Sequence, residues 1–196
     1  MMKSKRVFSI LFISTLTTML FVGCNNLNQK AQKEEVIISA DYYNYDTDDD
    51  LINNSDVIVE GKILNYKSEY LSVGEYSESS NEEENPGGEI DTTQLPYTIF
   101  QVEVYKNYKG NIDKKTIIEV KQLGGDFDNI TFSENNTTPL KKNQKYVFFL
   151  KQYEDSPFSL LNPVQGTYLS ENGKLIPNNK NSVKMDLNKL EKINKK

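Results

Sequence analysis

Apolar side chains at every second position constrain this chain more than any other feature of its sequence. Val57, Val59, Gly61 and Ile63 alternate with Ile58, Glu60, Lys62 and Leu64. Over 97–105, Phe100, Val102 and Val104 share one face and Gln101 and Glu103 the other. Over 116–123, Ile118 and Val120 oppose Glu119 and Lys121. A strand turns successive side chains to opposite sides, so this period buries one face of a sheet and cannot bury one face of a helix. Tyr146-Val147-Phe148-Phe149-Leu150 is apolar on both faces, which predicts a central strand. Phe158 to Leu161 is a further short strand, broken by Pro163. Residues 165–176 predict a hairpin around Asn172-Gly173, since Asn and Gly both tolerate the positive φ of a two-residue turn. Glu171 and Lys174 then face each other across it.

Helical patterns are confined to the ends of this β-rich body. Asp48-Asp49-Asp50-Leu51-Ile52-Asn53-Asn54 predicts a short helix with acidic residues at its positive N-terminal end. Leu187, Leu190 and Ile193 predict a C-terminal helix with one apolar stripe, packed on the body. Six or seven short strands with helices only at the ends predict an all-β fold, a small OB-like β-barrel or sandwich. A long insert, 67–96, separates the first two of these strands. Its centre, 75–91, is acidic without a basic residue and reads as a mobile acidic loop. The expected division is 1–23, 24–35 as a polar tether, 36–177 as the barrel domain, and 178–196 as a polar linker and C-terminal helix.

The N-terminus points to export. Lys3, Lys5 and Arg6 precede Val7 to Val22, an uncharged run too short and too rich in Ser and Thr for a spanning helix. Phe21-Val22-Gly23-Cys24 follows and resembles the lipobox of bacterial lipoproteins, with Phe21 where that family usually carries Leu. The resemblance implies that 1–23 is a lipoprotein signal peptide, that cleavage falls between Gly23 and Cys24, and that the Cys24 thiol carries a diacylglycerol. It places the chain on the extracytoplasmic face of the cell membrane, held by lipid.

Composition removes whole classes of chemistry. The chain has no His and one Cys. No His-based triad or metal site can exist, and no internal disulfide or Cys-rich zinc site. A P-loop and a GxGxxG are also absent. The net charge is −5. Removing Lys3, Lys5 and Arg6 with the signal leaves −8, which gives no attraction for nucleic acid. Asp46, Asp48 and Asp50 have the spacing that opens a calcium loop. Leu51 stands where that loop needs Gly and Val57 where it needs Glu, so the calcium-loop reading fails. Glu82, Glu83 and Glu84 read as a solvated run. Gly124-Gly125 reads as a turn or bulge. Tyr42, Tyr43, Tyr45, Tyr66, Tyr70 and Tyr76 read as covering the ends of the barrel. No catalytic residue, cofactor site or metal site is expected.

The order Ser55-Asp56-Val57-Ile58-Val59-Glu60-Gly61, Tyr97 to Lys106, Tyr108-Lys109-Gly110, Gly124-Gly125 and Leu140 to Tyr146 resembles a group of uncharacterised exported bacterial proteins. It is similar, more weakly, to the netrin-module and tissue-inhibitor-of-metalloproteinase barrels, which are OB-type. The resemblance covers about 55–170 and implies the barrel alone. Netrin modules are laced with disulfides that this chain cannot form, and the inhibitors use a free N-terminal Cys, where the lipobox resemblance implies that Cys24 would be acylated. The expected function is a membrane-anchored lipoprotein acting as a non-enzymatic binding or interaction module. Its partner is an unidentified protein or small molecule. The alternative is a cell-envelope hydrolase or hydrolase inhibitor.

Overall fold

Among the described residues, ten strands and two short helices follow one another in the order β1 (Glu34–Ile38), α1 (Asp48–Asn54), β2 (Val57–Ser72), β3 (Gln94–Lys109), β4 (Ile117–Leu123), β5 (Gly125–Phe127), β6 (Ile130–Glu134), β7 (Lys145–Lys151), β8 (Phe158–Leu160), β9 (Thr167–Glu171), β10 (Lys174–Pro177) and α2 (Leu187–Ile193). The structure is a computed structural model and describes residues 33–72, 94–135, 137 and 140–193. The fold is all-β, as the alternation requires. No helix among the described residues is long and apolar enough to cross a membrane.

The larger sheet has the order β10-β9-β7-β2-β3-β4-β8, and β8 also pairs with β7. That second pairing closes β7-β2-β3-β4-β8 into a ring of five strands. β4 and β8 run parallel and the other ring neighbours antiparallel. This is the strand order of an OB-type barrel, and closing the ring removes the exposed edges that an open sheet would present.

The barrel interior takes the in-facing residues that the period-two pattern marks. Val57, Val59 and Ile63 come from β2, Phe100, Val102 and Val104 from β3, and Ile118 and Val120 from β4. Tyr146, Phe148 and Leu150 come from β7 and Leu160 from β8. Gly61 lies among them, and a Cβ there would stand 2.9 Å from the carbonyl oxygen of Glu103 and drive into the Val102 side chain. The β2–β3 register slips between Glu60 and Gly61, so this glycine sits at a bulge where two long strands cross closely.

A second core lies on the outside of the same strands. Ile58, Tyr108, Val147, Phe149 and Tyr168 pack there against Leu51 and Ile52 of α1, Val183, and Leu190 of α2. β7 is apolar on both faces because it separates the two cores. Thr47 caps α1 by accepting from the Asp50 amide (3.1 Å), and Asp48, Asp49 and Asp50 fill the positive first turn. At the other end, Lys109 Nζ donates to the carbonyls of Ile52 (2.7 Å) and Asn53 (3.2 Å), a cation at the negative helix terminus. The hairpin forms as expected, with φ of 51° at Asn172 and 72° at Gly173 and Lys174 opposite Glu171.

Several sequence-based boundaries move. The strands of the β2–β3 hairpin run into the segment read as a loop over 67–96, taking 67–72 and 94–96. The acidic centre, 75–91, lies outside the described residues. The tether read over 24–35 loses Glu34 and Glu35 to β1, which pairs in parallel with β6. The stretch from 178, read as a polar linker, contributes Val183 to the second core, where its carbonyl accepts from the Tyr168 hydroxyl (2.9 Å). There are also more strands than the six or seven expected, because the β5–β6 hairpin and its pairing with β1 form a separate sheet of three.

Candidate functional site

The small sheet lies against one end of the barrel, and the glycine pair joins the two. Gly124 has φ 93° and Gly125 φ 150°. A Cβ on Gly124 would stand 2.6 Å from the Phe132 carbonyl oxygen, and one on Gly125 would stand 2.7 Å from Thr98 Oγ1 and 2.8 Å from Ser68 Oγ. The pair is therefore neither a simple turn nor a bulge within one strand. It is the junction that lets β5 leave β4 and fold back closely over the barrel end. Only residues without a side chain fit there.

Two adjoining cavities open along this junction. The larger, about 300 Å³, is lined by Tyr66 and Ser68 of β2, Thr98 and Phe100 of β3, Gln122 of β4 and the facing residues of β5 and β6. The smaller, about 130 Å³, is lined by Tyr42, Tyr97, Lys121, Gln122, Glu134 and Pro163 among others. Gln122, Leu123 and Glu134 line both.

Each of these side chains is fixed from the backbone outward. Gln122 stands opposite Thr98 in the β3–β4 ladder and is only 8% exposed. Its Nε2 is buried without a hydrogen-bond partner. Glu134 ends β6 opposite Ile38. Burial pushes its carboxyl above the ordinary glutamate value, opposed in part by hydrogen bonds from the Tyr42 and Thr137 hydroxyls. The Thr137 hydroxyl lies 3.3 Å from Glu134 Oε2. Tyr42 is carried by the segment between β1 and α1. That segment is stapled to the loop after β8, where Gln165 takes both the N–H and the C=O of Tyr45 (2.9 Å each) and Asn162 Nδ2 donates to the Tyr43 carbonyl (3.0 Å). The Tyr42 phenol is raised well above its ordinary value, by burial first and then by Glu134. Tyr97 is raised by the same two causes. Lys121 is lowered by burial. Its ammonium donates to Ser156 Oγ (2.7 Å) and stands over the rings of Tyr97 (5.4 Å) and Tyr153 (5.9 Å).

The Glu134 carboxyl makes a pH-dependent contribution with a definite sign. A carboxyl whose folded pKa is raised destabilises the folded state when ionised. Its contribution therefore improves as pH falls through the raised folded value toward the unfolded value, about 4.3. Glu134→Gln is expected to gain on the wild type most at neutral pH, with the difference in melting temperature shrinking as the pH is lowered to 4. A difference that stays constant over that range would show a solvated carboxyl.

The residues singled out from sequence fall in different places. Gly23 and Cys24 lie outside the described residues, as do Tyr76 and Glu82 to Glu84. Asp48 and Asp49 pair with Lys189 at 2.7 and 2.8 Å. The Asp50 carboxylate accepts from the Thr47 hydroxyl (2.6 Å). Tyr45 is buried in the second core, Tyr43 is 74% exposed, and Tyr70 packs on Phe127 and Phe132 of the small sheet. Of the tyrosine set, the structure brings Tyr42 and Tyr66 to the cleft. Sequence reasoning missed Gln122, Glu134, Tyr97 and Lys121. One signal was available for the sheet that carries Glu134: Ile130 and Phe132 alternate with Thr131 and Ser133 directly after Asp128-Asn129, a strand following a turn.

No family model matches the chain, and no curated protein and no solved structure matches it either.

Proposed function

We propose that this chain is an extracytoplasmic, lipid-anchored binding module that takes its ligand in the cleft between the barrel end and the small sheet, without catalysis. Its membrane attachment rests on the basic start, the apolar run and the Gly23-Cys24 junction. The observation that carries the site is the Gln122 amide. A buried N–H with no acceptor costs about 1–3 kcal/mol. Gln122 carries that cost beside a concave, partly aromatic pocket of the kind that receives small ligands.

The test separates binding from turnover. The lipoprotein, purified whole in detergent micelles, is expected to give no turnover on peptide, ester, phosphate and glycoside substrate panels. A robust rate abolished by a single substitution in the cleft would replace the binding module with the hydrolase alternative.

A further inference from the structure

We infer that the outer edge of β1 pairs with the same edge of a second copy of this chain, antiparallel about a two-fold axis at Ile37. β1 ends the small sheet, whose order is β1-β6-β5. Along a strand, successive residues turn their N–H and C=O groups to opposite sides, so a neighbour is bonded at every second position. The Glu34 N–H donates to the Asn129 carbonyl (2.8 Å), and the Asn135 N–H donates to the Ile38 carbonyl (3.3 Å). Glu34, Val36 and Ile38 are therefore the residues bonded to β6. The N–H and C=O of Glu35 and Ile37 point the other way, and no backbone group among the described residues meets them. An edge of this kind is a template for another strand. At the end of the larger sheet, β10 is blunted by Lys174 and Pro177. β1 contains neither Lys nor Pro and carries Val36-Ile37-Ile38, with Ile37 63% exposed.

The residues of the edge select the occupant. A second copy running antiparallel exchanges bonds at the outward-pointing residues, so the axis falls at Glu35, Val36 or Ile37. At Glu35 it sets two carboxylates directly opposite each other, which is destabilising. At Val36 it sets Glu35 against Ile37 of the second copy, and Glu34 against Ile38. At Ile37 it sets Ile37 against Ile37, Val36 against Ile38 and Glu35 against Ser39. Only this last register places apolar on apolar and polar on polar, and it is self-complementary as a two-fold interface must be. The polar side chains beside the edge are already held. The Ser133 hydroxyl donates to the Glu35 carboxylate (3.0 Å), and the Asn135 side-chain amide donates to Ser39 Oγ (3.0 Å). Pairing then has little left to order. An edge this short buries less than the roughly 1,200–2,000 Å² of a standard interface. The dimer is therefore expected where the lipid anchor of the proposed function holds both copies in one membrane and raises their effective concentration.

The test is disulfide crosslinking of the whole lipoprotein in phosphatidylcholine vesicles under mild oxidation. Ile37→Cys places a thiol on the axis, where paired Cα atoms stand about 5.5 Å apart, within the span of a disulfide. It is expected to dimerise roughly tenfold faster or more than Ile117→Cys, since only the edge position is held against its own copy. Ile117 is exposed to a similar degree (57%) and lies on the barrel. Glu35→Pro, added to the Ile37→Cys chain, removes an outward N–H and leaves the β6 ladder intact. It should bring the rate down to that of Ile117→Cys with little change in melting temperature. A second readout needs no proline. Glu35→Cys alone should crosslink slowly, because Glu35 faces Ser39, and together with Ser39→Cys it should crosslink fast. Equal rates for Ile37→Cys and Ile117→Cys overturn the inference. So does a rate that Glu35→Pro leaves unchanged in a folded chain, or a fastest single-site rate at Glu35→Cys. The wild type is run alongside. Its crosslinking would reveal a free Cys24 and count against the lipid anchor, while the excess rate of Ile37→Cys over it still decides the pairing.

Discussion

Cys24→Ser is expected to abolish lipid attachment and the processing that depends on it. Cys24 is the only thiol in the chain, and the thiolate is the nucleophile that takes the diacylglycerol. A serine hydroxyl at the same place is close in size but is not ionised at neutral pH. On the proposed lipoprotein reading, Gly23 before it is the small residue that lets the signal peptidase reach the bond. Each buried CH₂ of an acyl chain contributes about 0.8 kcal/mol, far more than an acidic chain can gain at an anionic surface. Location is a poor readout, because an uncleaved form can stay in the membrane through Val7 to Val22. The measurement is metabolic labelling with a palmitate analogue followed by intact mass. Wild type should be labelled and begin at Cys24, and the serine variant should be unlabelled. Equal labelling of the two, or a wild-type N-terminus elsewhere, would return the chain to the simple secreted proteins.

Phe148→Ala is expected to cost the most stability of any single truncation in the barrel. The side chain is fully buried in the interior and packs beside Tyr146, with ring centroids 5.9 Å apart. Its strand, β7, is bonded to β2, β9 and β8. A large cavity there cannot close, because closed-barrel walls on several sides hold their spacing through backbone hydrogen bonds. Phe-to-Ala truncations in such sites cost about 3–5 kcal/mol, a large part of the roughly 5–15 kcal/mol that holds a domain folded. The expected drop in melting temperature is on the order of 10 °C. Phe148→Leu keeps most of the volume and should lose far less. A drop of under about 2 °C for the alanine variant would mean that β7 does not run through the centre of the fold.

Much of the barrel was legible from the chain alone, for a physical reason. Whether a strand buries one face or two is a local property of its side chains. Hence Val102 and Val104 could be placed inside, and β7 assigned to the centre, without knowing what either touched. Turn and helix signals are equally local: Asn172-Gly173 tolerates positive φ by its own chemistry, and the three aspartates at 48–50 favour a helix start wherever they lie. The proposed Gly23-Cys24 junction also rests on adjacent residues, and it lies outside the described residues. The closure of the ring was not legible, because β8 contributes only three residues and, besides its neighbour in the chain β7, pairs with β4 from an earlier part of the chain. The strand extensions into 67–72 and 94–96 were hidden for a related reason. Lys67, Ser68 and Glu69 carry no apolar alternation, and they are strand because they pair with Ile99, Thr98 and Tyr97.

The cleft belongs wholly to the tertiary level. Gln122 in isolation is a polar residue near the end of an amphipathic strand, and Glu134 is a polar residue in a polar stretch. What distinguishes them is that Gly124 and Gly125 let β5 and β6 fold back over the barrel end, while Gln165 and Asn162 hold the segment carrying Tyr42 against it. The sequence by itself determined which faces of the alternating strands are buried and where the hairpin turn and the two helices fall, since those follow from side-chain chemistry and spacing. Which polar groups are deprived of water, and hence where a ligand could be recognised, only the tertiary structure decided, because desolvation is a property of what is packed around a group.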